Sequence, residues 1–316
     1  MSATDIPVPT ERLVAAQKLL RGRWLKSRYG LVAPAVVIIG LFGILPLTIM
    51  VIYSFLKAGD YGGVQWIPSL EAYVSFLFTR DIFDGSLAFS PDYLIIFVRS
   101  ILFAIATTVI CLLLGFPTAY FMATRPSHQR QLWVFLITIP FWSNLLVRTL
   151  AVMLIIRDEG LINDALIWLG VIDKPIVILY TNFAVLLGLL YSFLPFMVLP
   201  LYASLEKMDF RLVEAGFDLY ATRGKVLRRI IIPLAKPGIV AGCLLVFIPS
   251  IAAYVTPLIL GGGTHLMIGD LIALQFGSSR NWPLGSAMAL ILMAGVMIAL
   301  VFYVRNTTGK QQALHG

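Results

Sequence analysis

The chain has 316 residues, 59% of them hydrophobic and 13% charged, with a mean hydropathy of +0.90 and a net charge of +8. Soluble domains carry about 25% charged residues, so a soluble protein is excluded, and long unbroken apolar runs exclude a transmembrane β-barrel. The composition is that of an all-α integral membrane protein, and its basic balance has no soluble domain with which to bind nucleic acid.

The first 29 residues are polar and basic and lack a short apolar core followed by a small-residue cleavage site, which argues against a cleaved signal peptide. Within this arm, Glu11 to Tyr29 reads as an amphipathic helix on the membrane surface with Trp24 and Tyr29 near the headgroups; a solvated helical arm is the alternative. A bilayer core of ~30 Å takes about 20 apolar residues. That ruler places six spans at roughly 31–56, 93–123, 132–156, 177–203, 238–260 and 285–304, giving a six-helix membrane domain over 30–305 and a short tail over 306–316. With both ends on one side, the segments there hold 17 basic and six acidic residues, and the rest of the chain seven basic and ten acidic. The resulting +11 against −3 puts the termini in the cytoplasm by the positive-inside rule.

Cys111 and Cys243 fall inside predicted spans as small apolar residues, and His128, His265 and His315 are too scattered for a metal site. In the third span, Arg148 stands ~24 Å along the helix from its start. An intramembrane arginine faces a bundle interior and needs a partner, here Asp270 or a backbone carbonyl, with Asn144 one turn earlier on the same face. The loop 204–237 is the chemically richest segment. It should form a short helix over Phe210–Leu219 and a second over Gly224–Ile232, before Pro233 and Pro237 interrupt the backbone.

At this loop the residues Glu214-Ala215-Gly216-Phe217-Asp218-Leu219-Tyr220, followed by Ile230-Ile231-Ile232-Pro233, resemble the EAA loop of bacterial ABC importer permeases. Gly216 stands where a second alanine is usual, and Tyr220 replaces the motif's glycine. A tyrosine in left-handed geometry costs ~1–2 kcal/mol, so either the turn moves toward Gly224 or the tyrosine itself contacts a partner. The segments Ile139–Val152, Ile167–Ile176, Phe193–Asp209, Ile239–Ile251, Met267–Asp270 and Asn281–Ala287 are collinearly similar to spermidine/putrescine permease subunits.

The resemblance implies a type I ABC importer permease of the bacterial inner membrane, moving a polyamine or related small amine from periplasm to cytoplasm. It implies that the loop is a cytoplasmic coupling helix seated in a separate ATPase, with Glu214, Ala215, Gly216, Asp218, Leu219, Tyr220 and Pro233 at the contact. The implied partners are an ATPase pair, a second homologous permease and a periplasmic substrate-binding protein. ATP and Mg would belong to the ATPase and this chain would carry no cofactor, metal or catalytic residue; it has no GxxxxGK[ST] loop.

A cation path favours aromatic faces and carboxylates, making Trp142, Tyr191, Phe193, Phe196 and Tyr254 candidate lining residues beside Asn144, Arg148 and Asp270. The glycines Gly261–Gly263 and the segment ending at Asp270 could form an outer gate or a contact for a binding protein. Some relatives carry an acid in the fifth span, whereas Pro249–Gly262 has none, which leaves open an importer of another solute such as an opine or aminophosphonate. A secondary transporter would place ion-coupling carboxylates in mid-membrane helices, and a membrane enzyme would need convergent acids, bases or metal ligands; the spans offer neither.

Overall fold

The computed structural model describes residues 32–80 and 87–312. The amphipathic helix expected over Glu11–Tyr29, the loop acids Asp81 and Asp84, and the last four residues lie outside the described residues. Helix α1 (Val32–Ser54) leads into a hairpin of β1 (Leu56–Ala58) and β2 (Val64–Pro68), a single helical turn α2 (Glu71–Val74), and a second antiparallel pair, β3 (Phe78–Arg80) with β4 (Leu87–Phe89). Then follow α3 (Asp92–Ala123), α4 (Ser127–Trp142), α5 (Leu145–Ile156), α6 (Leu161–Trp168), α7 (Asn182–Glu206) and α8 (Arg211–Asp218). The chain closes with α9 (Arg223–Ile251), α10 (Val255–Leu260), α11 (Ile268–Phe276) and α12 (Trp282–Gln312).

Among the described residues, α1, α3, α7, α9 and α12 are long and apolar enough to cross a membrane. The expected third span is instead a bent pair, with α4 and the helix after it meeting at 95°. The predominantly helical class holds, but the loop between α1 and α3 builds four short strands that apolar-run reading could not show. Gly62 and Gly63 turn the first hairpin at φ of 94° and 81°, and the Gly63 N–H donates to the Arg280 carbonyl at 2.8 Å, pinning the hairpin to the start of α12.

The bundle centre is a three-helix core in which α7 packs on both α3 and α9, and these pack on each other; α1 packs on α12, which joins the core through α11. Side-chain size explains the closeness. The buried face of α3 runs Ser100, Ala104, Thr107, Cys111, Gly115 and Ala119, small residues at helical spacing. A Cβ on Gly115 would come within 3.0 Å of Met197 on α7. On α9 the pair Gly238 and Gly242 does the same: a Cβ at Gly238 would sit 2.6 Å from the Pro200 carbonyl, and one at Gly242 2.7 Å from the Met197 sulfur. Between apolar helices in lipid, such small-residue seams bring dispersion contact that bulk hydrophobicity does not supply.

Two prolines are accommodated where the sequence predicts interruption. Pro233 and Pro237 lie within the continuous α9, whose turn Leu227–Ile231 is a π-helix. The Ile232 N–H reaches back to the Leu227 carbonyl, and this wider turn relieves the crowding that a proline imposes on the carbonyl four residues before it. The same device recurs in α1, where the π turn Gly40–Ile44 immediately precedes Leu45–Pro46. The helix of the expected fifth span therefore begins at Arg223 and ends at Ile251, about 15 residues earlier than the hydropathy ruler starts it.

Candidate functional site

Helix α8 starts where Asp209 Oδ1 accepts the Arg211 N–H at 3.0 Å. It places Glu214 in its first turns, where a carboxylate is favoured by the helix dipole. One face is anchored: Val213 and Gly216 are buried, and Val213 shares an apolar cluster with Leu205, Met208, Val226 and Ile231. The other face, with Leu212, Glu214, Ala215, Phe217 and Asp218, is exposed. Gly216 lets α8 lie close on α9; an added Cβ would meet the Ile230 Cδ1 at 2.8 Å, the movable end of a flexible side chain. An alanine at this position therefore fits with a small rotation of Ile230.

The turn after α8 has not moved to Gly224, which lies within α9. Tyr220 itself takes the left-handed conformation, at φ 57°. Its N–H donates to the Phe217 carbonyl at 2.9 Å and the Ala221 N–H to the Gly216 carbonyl at 3.1 Å, the two bonds that close a helix with a Schellman motif. Tyr220 is 96% exposed and the neighbouring Leu219 is also exposed, so two large side chains stand almost wholly open at the tip of the loop. Pro233, also exposed, lies just past the π turn in α9.

The path candidates separate into three places. At the corner between α4 and α5, Asn144 caps α5, its Oδ1 accepting the Leu146 N–H at 2.8 Å. Arg148, 8% exposed, donates to the Ser143 carbonyl at 3.1 Å. Two side chains thus satisfy backbone groups that the broken helix leaves open, as non-helical backbone at membrane depth requires. Because the helix breaks at residues 143–144, the distance ruler from its start does not apply to Arg148. Its partner is the carbonyl rather than Asp270, and Asn144 caps α5 rather than standing one turn back on the face of a continuous helix.

The Arg148 guanidinium lies 6.0 Å from the Tyr191 ring centroid, with Trp142 highly exposed on the first arm of the corner. Nearby, Phe196 packs on Phe141 at 4.5 Å and on Phe193 at 6.1 Å between centroids, and both Phe193 and Phe196 are half-buried against the core. Tyr254 stands apart as the exposed residue before α10. Asp270 is buried in α11 at the opposite end of the bundle from α8, beside α3. The structure thus brings Arg148 to Tyr191 and Phe193 to Phe196, and leaves Tyr254 and Asp270 separate.

The sequence reading overlooked two groups. The spacing Gly238-x-x-x-Gly242 was a usable signal of close helix packing. No local signal exists for the second: Tyr202 donates to Glu206 at 2.7 Å and Arg130 lies 3.8 Å from the same carboxylate. This network joins the start of α4 to the end of α7, just before the α8 loop.

A family model described as the binding-protein-dependent transport system inner membrane component matches residues 94–307. The spermidine/putrescine transport system permease protein PotB of Escherichia coli strain K12 is 40% identical over 265 residues, covering 84% of this chain and 92% of that protein. PotB of Salmonella typhimurium strain SL1344 gives 40% over 265 residues, with 84% and 88% covered. The inner membrane ABC transporter permease protein YdcU of Escherichia coli strain K12 is 28% identical over 231 residues, covering 69% of this chain and 73% of that protein. Among solved structures, a bacterial ABC transporter involved in the import of the acidic polysaccharide alginate superimposes with a TM-score of 0.65 at 15% identity, over 93% of this chain and 98% of that one; this likeness speaks to the fold. A family match over residues 94–307, with 40% identity to permeases across most of the chain, means that this protein belongs to the binding-protein-dependent transport system inner membrane components, as a permease of the ABC importer type.

Proposed function

We propose that the chain is one permease subunit of an ATP-driven importer that carries spermidine, putrescine or a closely similar amine from periplasm to cytoplasm. The observation that carries the substrate class is the 40% identity to spermidine/putrescine permeases over 84% of the chain. In this reading the α8 end faces the cytoplasm, as the positive balance of the 204–237 loop favours. The hairpin end faces the periplasm, where a substrate-binding protein delivers the amine. A crystal structure of the alginate importer with its ligand-bound periplasmic protein has the same permease fold at a TM-score of 0.63, which supports that kind of partner.

The coupling step follows from how α8 is mounted. An ATPase subunit, one of a pair holding ATP and Mg, grips the exposed face of α8, with Glu214 as the charged anchor and Ala215, Asp218, Leu219 and Tyr220 around it. Gly216 and Val213 hold the other face to α9 and to the cluster at the end of α7. Movement of α8 is then passed to α9, a 29-residue helix of ~43 Å that runs from the loop to the far end of the bundle. With a second permease related by a pseudo-twofold, the two α9 rods close or open a shared cavity, alternating access between its two mouths. The corner residues Trp142, Asn144 and Arg148, with Tyr191, Phe193, Phe196 and Tyr254, border that path in this reading. Arg148 shapes the corner and does not bind the cationic cargo.

The test is uptake of labelled spermidine and putrescine by proteoliposomes holding the whole co-expressed transporter, with and without ATP, beside the Glu214→Ala variant. Uptake that needs ATP and collapses in the variant is the expected result. ATP hydrolysis without amine uptake would remove the substrate class, and uptake driven by an ion gradient alone would remove the importer mechanism.

A further inference from the structure

At the end of the bundle opposite α8, the loop carrying α10 and α11 is fastened to α3 by a small polar cluster. The Ile268 N–H donates to Ser100 Oγ at 2.7 Å, and that hydroxyl donates in turn to the Ile96 carbonyl at 2.8 Å. Asp270 Oδ2 accepts the Met267 N–H at 2.9 Å. Its other oxygen, Oδ1, is buried without a partner, in a residue only 2% exposed. The residues flanking it on the helix, Ile268 and Leu271, pack in an apolar cluster with Phe76, Ala104, Ile251, Leu284 and Met288. An ionised carboxylate there would be a buried charge with a single hydrogen bond, an expensive arrangement.

We propose that Asp270 is a proton-binding site that controls this loop: with the proton on the carboxyl the segment Met267–Phe276 stays docked on α3, and loss of the proton releases it. The proton resides on Oδ1, the oxygen without a donor, while Oδ2 keeps the Met267 N–H. Neutralisation removes the cost of burial, whereas the ionised form gains by moving toward water.

The charged groups around Asp270 are few. From α3, Arg99 faces it, with the guanidinium held by Asn182 Oδ1 of α7 at 2.5 Å and over the Phe103 ring at 5.3 Å. Helix α10, the rest of α11 and α12 over Trp282–Val301 carry no charged side chain. Burial pushes the Asp270 carboxyl up to about 7, against the opposing pull of the Met267 N–H and of Arg99. A carboxyl with a pKa higher when docked than when solvated binds its proton more tightly in the docked state. Docking is therefore strongest below the ordinary carboxylate range, weakens as pH rises from there to about 7, and levels off above it, where the group is ionised in both states.

The test is hydrogen–deuterium exchange of the backbone over Met267–Phe276 in the complete transporter in lipid nanodiscs, corrected for the intrinsic pH dependence of exchange. In the wild type, protection is expected to be level below the ordinary carboxylate range, to fall by up to about tenfold per pH unit from there to about 7, and to level off above it. Asp270→Asn, which keeps an acceptor for Met267 but cannot ionise, should be protected at every pH. Arg99→Gln removes the cation that favours ionisation and should carry the end of the fall to higher pH. A level wild-type profile, or the same fall in Asp270→Asn, would overturn the proposal. If Asp270→Asn does not assemble, a fall whose end stays put or moves to lower pH in Arg99→Gln would overturn it as well.

Discussion

Replacing Tyr220 with glycine separates two roles of this residue that the structure superimposes. At φ 57° the tyrosine carries the left-handed penalty of a Cβ against the following carbonyl, ~1–2 kcal/mol. Glycine removes that penalty but gives up ~0.5–1 kcal/mol by loosening the unfolded chain. The difference is a net gain of ~0.5–1 kcal/mol for the closed turn. The ring, 96% exposed, takes nothing with it from inside the chain. Tyr220→Ala is the matching control, because it removes the ring and keeps the Cβ.

The amide of Ala221 reports the turn directly, since it closes the Schellman motif on the Gly216 carbonyl. Its exchange in the glycine variant should slow by about two- to fivefold relative to alanine, the equivalent of ~0.5–1 kcal/mol. ATP hydrolysis stimulated by loaded binding protein reports the docking. If the ring contacts the ATPase, glycine and alanine should lower that coupling alike, whatever they do to the turn. Equal protection at Ala221 in the two variants would refute the strain argument, and wild-type coupling in both would refute the contact.

Glycines that look alike in sequence should answer differently to alanine. Gly238→Ala drives a Cβ to 2.6 Å from the Pro200 carbonyl, which cannot turn aside, so α7 and α9 must part. A loss of ~1–3 kcal/mol is expected, read as a lower unfolding temperature of the purified complex. Gly216→Ala meets only the end of Ile230, and the alanine's better helix propensity, worth ~1 kcal/mol, offsets the adjustment; its unfolding temperature and coupling should match the wild type. Asn144→Ala removes the cap of α5 at the corner and should cost ~1 kcal/mol, seen as faster exchange at the Leu146 amide, while Asn144→Asp restores it.

Much of this molecule is decided by local chemistry. Long apolar runs make α1, α3, α7 and α12 helices of spanning length wherever they pack, because a backbone without water must bond to itself. The position of α8 was legible as well, since Phe210–Leu219 reads as a short helix of its own, whereas its turn was left open between Tyr220 and Gly224. The corner at residues 143–144 was not, because both arms are apolar and hydropathy is a sum that does not register direction. The break exists because Asn144 and Arg148 can satisfy the backbone it exposes, and only the fold brings Arg148 to the Ser143 carbonyl.

The same holds for α9. Pro233 and Pro237 read locally as an interruption, and it takes the π turn before them, packed on α8 and the end of α7, to carry the helix through. Whether the turn stays at Tyr220 or moves toward Gly224 was open in the sequence; in the fold Tyr220 takes the left-handed turn, closed by the bonds to the Phe217 and Gly216 carbonyls. Asp270 and Arg99 are 171 positions apart in sequence, and their proximity, with the carboxyl's burial, comes from the packing of α11 on α3. Backbone hydrogen bonding and hydropathy act between near neighbours and can be read along the chain. Desolvation, close contact and the field of a distant charge depend on what packing places beside each group, so they belong to the tertiary structure.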